Sequence, residues 1–160
     1  MTIVATLCFI IRGGEVLLIR KKKGFGIGKY NGVGGKVEEG ESLEEAARRE
    51  VVEEVGVEPL DLEYRGVLKF YSSRDEPDWI VHVFVCRRFR GTPRPSDEAE
   101  PAWFPLDRLP LDEMWDDDRV WLAHVLNGGR VDGTFWYDES YSRLVKWDVK
   151  LDGRRVVGSA

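Results

Sequence analysis

Cysteine and histidine are scarce in this chain. Its 160 residues include two of each, and Cys8, Cys86, His82 and His124 do not form the paired short spacings of a zinc site. Each cysteine lies inside an apolar stretch that is typical of a strand, so we expect buried free thiols, which suit a reducing compartment. The sequence therefore argues against zinc and predicts a cytoplasmic protein.

Long hydrophobic runs are also missing. The apolar stretch IVATLCFII at residues 3–11 is too short to span a membrane and has no basic segment before it, so it predicts a buried strand. The net charge of −5 argues against wholesale binding to a nucleic-acid backbone, although a small phosphorylated ligand held through a metal remains compatible with it. We expect no membrane and no nucleic-acid polymer as partner, and a monomer.

What is present is typical of one globular domain. Hydrophobic residues make up 42% of the chain and charged residues 33%, which is enough for a real core at this length. Residues 1–151 are predicted to form that domain, and residues 152–160 a flexible tail. Strands before and after two helices predict an α/β (α+β) fold in which helices pack on a mixed sheet.

The predicted elements follow from periodicity, turns and caps. Apolar runs or alternation predict strands at residues 3–11, 15–20, 60–71, 79–89, 102–104, 131–137 and 143–151. Helical spacing predicts helices over about residues 42–55 and 117–126, the first opened by a capping box of Ser42 and Glu45. The segment KKKGFGIGKYNGVGGK, residues 21–36, is predicted to be a loop whose backbone approaches a ligand closely.

The first predicted helix carries glutamates on a face that should be buried. Ala47 points inward, and at roughly 100° per residue Glu50 and Glu54 point almost the same way, with Glu53 beside them. A buried charge without a partner is costly, so something positive must meet these carboxylates. Arg49 can neutralise one of them, but a divalent cation can neutralise several, and ligation by oxygen alone suits Mg²⁺ or Mn²⁺.

The segment GKVEEGESLEEAARREVVEEVGV, residues 35–57, resembles the signature of the Nudix family. That signature reads G-x5-E-x7-R-E-U-x-E-E-x-G-U, where U is a bulky aliphatic residue. Every fixed position is matched here, by Gly35, Glu41, Arg49, Glu50, Val51, Glu53, Glu54, Gly56 and Val57. The resemblance implies a Nudix-type α/β/α sandwich with a curved mixed sheet, and hydrolysis of a nucleoside diphosphate linked to another group.

The resemblance also implies roles for these residues. The implied metal site consists of Gly35, Glu50, Glu53, Glu54 and Glu98, the glycine contributing its carbonyl. Arg49 is expected to orient the glutamates, and Glu41 to support the loop. One glutamate must stay free to accept a proton from the attacking water, and both Glu53 and Glu98 remain candidates for that general base.

The stretch MWDDDRVW, residues 114–121, places three aspartates between two tryptophans. One interpretation is that Asp116 or its neighbours cap a helix that starts near Asp117. The other is that Trp115 covers the face of a purine while Asp117 and Asp118 meet its polar edge. Two adjacent carboxyls in an aromatic pocket should not both ionise, so one is expected to be protonated. A proton that can change place would suit both guanine-like and adenine-like edges.

The likeness extends over about residues 4–150, to the MutT-type Nudix hydrolases of oxidised purine nucleoside triphosphates. It implies base contacts from Asn31, Asp117 and Asp118, and a pocket lined by Thr6, Lys21, Phe25, Phe70, Trp79 and Trp115. The expected reaction gives monophosphate and pyrophosphate, with Mg²⁺ as cofactor. Two alternatives remain: a Nudix hydrolase for another nucleotide, ADP-ribose or a dinucleoside polyphosphate, and a nucleotide-binding module without catalysis. The complete set of glutamates favours catalysis.

Overall fold

The computed structural model describes residues 1–160, which form a large sheet and two helices. The strands are β1 (Ile3–Arg12), β2 (Glu15–Lys21), β3 (Tyr30–Asn31), β4 (Val33–Lys36), β5 (Glu58–Pro59), β6 (Glu63–Tyr71), β7 (Trp79–Cys86), β8 (Phe89–Arg90), β9 (Ala99–Pro105), β10 (Val131–Tyr137), β11 (Leu144–Leu151) and β12 (Arg154–Ser159). Helix α1 spans Leu43–Val55 and α2 spans Asp118–Leu126, with a 3₁₀ turn at Leu111–Glu113. Neither helix is long and apolar enough to cross a membrane.

Ten of the strands form one mixed sheet. Its order is β12-β11-β10-β6-β7-β1-β2-β3, with β4 pairing with β1 and β9 with β2. Strand β1 runs parallel to β7, and β6 parallel to β10, whereas the other pairs are antiparallel. On the edge away from β7, residues 5–8 of β1 pair with β4 and residues 10–12 with β2. This division brings the glycine-rich segment after β2 back beside the start of β1.

Alternate side chains of β1 build two cores on opposite faces of the sheet. Phe9 belongs to the core that contains Trp121 of α2, and the two ring centroids lie 6.0 Å apart. Ile10, the next residue, belongs to the core that contains Val51 and Val55 of α1. Successive strand residues face opposite ways, so α1 and α2 cover opposite faces. This confirms the predicted fold class of helices packed on a mixed sheet.

The sequence of α1 explains both of its ends. Ser42 Oγ accepts from the Glu45 backbone N–H at 3.1 Å, and Glu45 Oε1 accepts from the Ser42 N–H at 2.8 Å, which is the predicted capping box. At the other end Gly56 adopts φ 72°, a left-handed conformation that terminates helices. These ends set the register that directs Glu50 and Glu54 to one cavity.

The prediction of a flexible tail at residues 152–160 is wrong. Arg154–Ser159 forms β12, which pairs with β11 along its whole length. Asp152 and Gly153 make the tight turn with φ values of 50° and 85°, as Asp-Gly pairs do in hairpins. The Asp152 carboxylate also accepts from the Arg130 N–H at 3.0 Å and lies 2.5 Å from His124 Nε2, so the turn is tied to α2.

The other predicted elements are confirmed with altered bounds. Strand β10 matches its predicted range, β9 is longer than residues 102–104, and the strand predicted at 79–89 ends at Cys86. The segment predicted as a loop at 21–36 contains the short strands β3 and β4. Strand β3 pairs with β2, and β4 pairs with β1. No local sequence pattern predicts these pairings.

Candidate active site

One cavity of about 550 Å³ gathers residues from distant parts of the chain. The predicted site residues that line it are Thr6, Lys21, Phe25, Asn31, Gly35, Glu50, Glu54, Phe70, Trp79, Glu98, Trp115, Asp117 and Asp118. Arg49 and Glu53 do not line it. Its wall joins a carboxylate cluster, Glu50, Glu54 and Glu98, to a group of aromatic rings around two aspartates.

The carboxylate cluster carries more negative charge than its surroundings neutralise. Burial raises the pKa of Glu54 to about 8, with further increases from the charges of Glu50 and Glu98 and an opposing effect of Lys21. Burial also raises the pKa of Glu50, against the hydrogen bond from Arg49. Glu54 Oε2 is buried and has no hydrogen-bond partner. A buried oxygen without a partner is costly, so this position favours a proton or a cation.

Arg49 of α1 binds a carboxylate in the loop that precedes the helix and two on the helix itself. Its Nε donates to Glu41 Oε2 at 2.6 Å, and its Nη1 donates to Glu50 Oε1 at 2.7 Å and to Glu53 Oε2 at 3.3 Å. Its Nη2 donates to the Lys36 carbonyl at 3.0 Å. The hydrogen bond from Arg49 lowers the pKa of Glu41 to about 2. Arg49 therefore ties the end of β4 to α1 and orients Glu50 from outside the cavity.

Glu53 lies apart from the predicted convergence of glutamates. Its side chain is 60% exposed and pairs with Arg49. Glu54 follows Glu50 by roughly 400° of helix rotation, close to a full turn, whereas Glu53 falls roughly 60° short of one. Of the two candidates for the general base, Glu98 faces the cavity and Glu53 does not.

The donor chemistry of the cavity fits a hard divalent cation. Glu50, Glu54 and Glu98 offer carboxylate oxygens, Glu54 Oε2 is free, and such oxygens suit Mg²⁺. A Cβ added to Gly35 would lie 2.5 Å from Glu50 Cδ, so glycine leaves room for that carboxylate beside the β4 backbone. No three His, Cys, Asp or Glu side chains are already arranged as a metal site, so the carboxylates would have to close around an ion.

Asp117 and Asp118 form a buried acid pair in the cavity wall. Each is 3% exposed. Asp117 Oδ1 accepts from the Tyr137 hydroxyl at 2.5 Å and its Oδ2 from Trp121 Nε1 at 2.8 Å, whereas Asp118 Oδ2 has no partner. Burial raises the pKa of both, and the charge of Asp117 raises that of Asp118 further, against Lys29. The two hydrogen bonds to Asp117 favour its charged form, so Asp118 has the stronger tendency of the two to hold a proton.

The interpretation of these aspartates as helix caps is wrong. Asp117 occupies the N-cap position of α2 but makes no capping hydrogen bond, because its oxygens accept from Tyr137 and Trp121. Asp116 Oδ2 accepts from the Leu144 N–H at 3.1 Å and so ties the start of α2 to β11. The segment MWDDDRVW therefore directs two carboxyls to the cavity and uses the third as a brace.

Phe25, Trp79, Trp115 and Tyr141 form an aromatic box that shares the cavity with the acid pair. The Phe25 ring stacks on Trp115 with a centroid distance of 5.1 Å and on Trp79 with 6.1 Å. Lys29 Nζ lies 5.1 Å from the Trp115 ring centroid. The box offers flat apolar faces near carboxyls that can accept or donate hydrogen bonds.

Three further predicted residues complete the wall. Thr6 is 2% exposed, and its Oγ1 has no hydrogen-bond partner, so a polar atom of the wall is free. Asn31 Oδ1 accepts from the Gly32 N–H at 2.9 Å, which fixes the orientation of its amide. The Phe70 ring stacks on Phe135 at 5.4 Å and joins the cavity to the core.

The lining residues that sequence reasoning missed include Lys29, Trp121, Tyr137 and Tyr141. Trp121 follows Asp117 by one helical turn, and that spacing was an available signal. Tyr137 ends β10 and Tyr141 lies in the connection from β10 to β11, and only the finished sheet brings them to residues 115–118.

Comparisons with known proteins agree with this geometry. The NUDIX domain family matches residues 1–125. A Danio rerio protein named oxidized purine nucleoside triphosphate hydrolase is 43% identical over 130 residues, which are 81% of this chain and 83% of that protein. A Mus musculus protein of the same name is 38% identical over 134 residues, 84% of this chain and 86% of that protein. The crystal structure of a MutT protein from Bacillus halodurans superposes with a TM-score of 0.79 at 28% identity, covering 95% of this chain and 99% of that one. The chain belongs to the Nudix hydrolase family.

Proposed function

We propose that this enzyme hydrolyses oxidised purine nucleoside triphosphates, of the 8-oxo-dGTP and 2-hydroxy-dATP class, to monophosphate and pyrophosphate. The observation that carries the proposal is the buried pair Asp117 and Asp118, which shares one cavity with the aromatic box and the carboxylate cluster. The names of the Danio rerio and Mus musculus relatives support the same substrate class.

The acid pair suits a purine edge that varies between substrates. Protonated Asp118 can donate to an acceptor atom of the base, while Asp117 keeps lone pairs that accept from base N–H groups. Transfer of the proton from Asp118 to Asp117 reverses the two roles. Because Asp118 Oδ2 has no protein partner, the base supplies the hydrogen bond that the fold withholds. One pocket can thus accept guanine-like and adenine-like edges.

The carboxylate cluster is the proposed site of Mg²⁺, with Mn²⁺ as an alternative. Glu50, Glu54 and Glu98 would hold the ion together with the Gly35 carbonyl. Bound there, it would neutralise phosphate oxygens and lower the pKa of the attacking water. Glu53 is a ligand by family resemblance, but its exposed carboxylate pairs with Arg49 and would have to leave that partner.

The chain's own residues have separate tasks in this reaction. Lys21, which lines the cavity, would attract the triphosphate. Arg49 holds Glu50 in place through their 2.7 Å hydrogen bond. Glu98 is the proposed general base because it lines the cavity. Glu53, whose side chain is exposed to solvent, is the alternative general base. Trp115 would cover the base and keep it at the acid pair.

A nucleotide panel tests the proposal. Pyrophosphate release is measured with 8-oxo-dGTP, 2-hydroxy-dATP, dGTP, dATP, ADP-ribose and a dinucleoside polyphosphate, in Mg²⁺ and in EDTA. We expect the two oxidised triphosphates to give the highest kcat/KM, and EDTA to abolish turnover. Preferred hydrolysis of ADP-ribose or the dinucleoside compound would overturn the substrate. Tight nucleotide binding without hydrolysis in either Mg²⁺ or Mn²⁺ would mean a binding module.

We also propose that the enzyme acts as a cytosolic monomer on free nucleotides. Cys8 and Cys86 are buried free thiols, which suits a reducing compartment. The net charge of −5 supports a small substrate over a polymer. Sedimentation analysis across micromolar concentrations tests the monomer.

A further inference from the structure

Tyr141 reaches the cavity from a short connection between β10 and β11. Asp138 folds this connection into a tight loop: its Oδ1 accepts from the Ser142 N–H at 2.7 Å, and its carbonyl accepts from the Tyr141 N–H at 3.0 Å. Tyr141 adopts φ 59°, a left-handed conformation that bulky residues rarely adopt. Such a conformation persists where the surrounding structure holds the side chain in place.

A hydrogen-bonded network holds the phenol. The Tyr141 hydroxyl donates to Asp78 Oδ2 at 2.7 Å, and the same oxygen accepts from Ser72 Oγ at 2.6 Å. Arg74 Nε donates to Asp78 Oδ1 at 3.0 Å. Burial alone would raise the pKa of Asp78, but these hydrogen bonds outweigh it and lower the pKa. Asp78 therefore stays ionised and keeps the Tyr141 hydroxyl as its donor.

The Tyr141 ring stands on edge to the flat faces of the aromatic box. It lies at 88° to Trp115 and at 83° to Phe25, with centroid distances of 6.3 Å and 5.5 Å. Phe25 stacks on Trp115 and meets Tyr141 edge-on, so a purine ring that took the place of Phe25 on Trp115 would meet Tyr141 as a side wall. The substituents of a purine lie in the plane of its ring. A side wall therefore limits the size and position of these substituents. The hydroxyl is bound to Asp78, so Tyr141 contributes shape to the pocket.

We propose that Tyr141 is a specificity-determining residue for the purine base and that Asp78 is the residue that positions it. The inference rests on the proposed function, since it takes the aromatic box as the base pocket. Asp78 does not line the cavity and acts through Tyr141. The β6–β7 connection thereby takes part in base selection without touching the base.

Variants of the two residues test this assignment by steady-state kinetics with 8-oxo-dGTP and dGTP. Tyr141→Ala opens the side wall, and we expect KM for 8-oxo-dGTP to rise about three- to tenfold, the range of a lost edge-to-face aromatic contact. That rise should exceed the change in kcat, and the preference for 8-oxo-dGTP over dGTP should fall. Asp78→Ala should change both quantities in the same direction, because the ring is no longer held.

Two controls separate the wall from the network that supports it. Ser72→Ala removes the other hydroxyl bound to Asp78 Oδ2 and leaves the Tyr141 bond in place, so it should raise KM less than Asp78→Ala does. Tyr141→Phe keeps the ring and loses the bond, so its KM should lie between those of the natural chain and Tyr141→Ala. The double variant Tyr141→Ala/Asp78→Ala should be no worse than Tyr141→Ala alone, since coupled residues are not additive.

The outcomes distinguish this inference from the proposed function. An unchanged KM and base preference in Tyr141→Ala, with only a lower melting temperature, would make Tyr141 structural. Additive effects in the double variant would show that Asp78 acts by another route. If the natural chain prefers a different nucleotide of the panel, the proposed substrate fails, and the same kinetics on that nucleotide still test Tyr141. If no nucleotide is hydrolysed, calorimetric affinities for 8-oxo-dGMP give the same comparison.

Discussion

Among single residues, Glu54 combines a partly buried carboxyl with a buried oxygen that has no hydrogen-bond partner. Its pKa rises from 4.5 to about 8 on folding. Between those values the folded chain holds a proton that the unfolded chain has released, so the free energy of unfolding falls as pH rises through this window. Below it both states are protonated and the contribution is constant.

Glu54→Gln should therefore be more stable than the natural chain at pH 8 in EDTA, by about 1–3 kcal/mol, with a smaller difference near pH 4.5. Turnover in Mg²⁺ should fall roughly a hundredfold or more, because a charged ligand is lost. Urea unfolding at several pH values and pyrophosphate release measure the two effects. The exposed Glu44 on the same helix supplies the matched control, Glu44→Gln. Near-natural turnover in Glu54→Gln would refute its role in the carboxylate cluster.

Asp118→Asn should change the order of substrates rather than lower every rate equally. An amide fixes one donor and one acceptor, so it removes the mobile proton that we propose for the acid pair. A buried polar group left unpaired costs about 1–3 kcal/mol, so the ratio of kcat/KM for 8-oxo-dGTP and 2-hydroxy-dATP should shift about tenfold or more. Asp117→Asn should shift it too, and Asp116→Asn, which only braces Leu144, should do little. Equal fractional losses at Asp117 and Asp118 would make both residues structural.

How far single residues could be predicted depended on how local their geometry is. The inward direction of Glu50 and Glu54 followed from helical spacing alone. The same spacing turns Glu53 roughly 60° away from Glu50, but its pairing with Arg49 was seen only in the structure. The partner of Asp117, the Tyr137 hydroxyl, lies 20 positions away, and no periodicity of the sequence links the two.

At the scale of elements, β4 places Gly35 directly against Glu50 of the candidate metal site. Gly35→Ala would place a Cβ 2.5 Å from Glu50 Cδ and push that carboxylate from its position. We expect kcat/KM to fall roughly a hundredfold, with a smaller loss in melting temperature. Gly14→Ala is the control, because an added Cβ there meets nothing within 4 Å. Equal activity of the two variants would show that Glu50 can move without cost.

Elements with capping signals in the sequence could be predicted. Strands that depend on pairing with a distant strand could not. Helix α1 has a capping box and a left-handed glycine, both written in the sequence. Strand β4 reads VGGK, whose glycines disfavour a strand until β1 supplies hydrogen bonds. Strand β12 was missed because RRVVGS has little apolar alternation, although the Asp-Gly pair before it was a usable turn signal.

For the whole molecule, the sheet is what unites the two halves of the site. Thr6, Glu54, Trp115 and Tyr141 line one cavity although they are spread over most of the chain. Helices α1 and α2 lie on opposite faces, so neither helix alone could assemble both the carboxylate cluster and the acid pair. The sequence predicted the carboxylate cluster and the acid pair from two separate motifs. The order of the strands in the sheet is what places both in one cavity.

The last strand stabilises this assembly without contributing to the cavity. Removal of residues 152–160 deletes β12, the Asp152 contacts with His124 and Arg130, and the cover of the β11 edge. Net contributions of about 0.5–1.5 kcal/mol per hydrogen bond predict that the free energy of unfolding falls by at least about 2 kcal/mol, and the bare edge should promote aggregation.

No residue of β12 lines the cavity, so well below its melting temperature the shortened enzyme should retain kcat/KM within about threefold. A chain lacking only Ala160, which gives up one hydrogen bond to Val145, is the control. Calorimetry and kinetics on the same preparations decide the matter: an unchanged melting temperature would mean that β12 is frayed in solution, and a selective loss of activity would mean that it reaches the site.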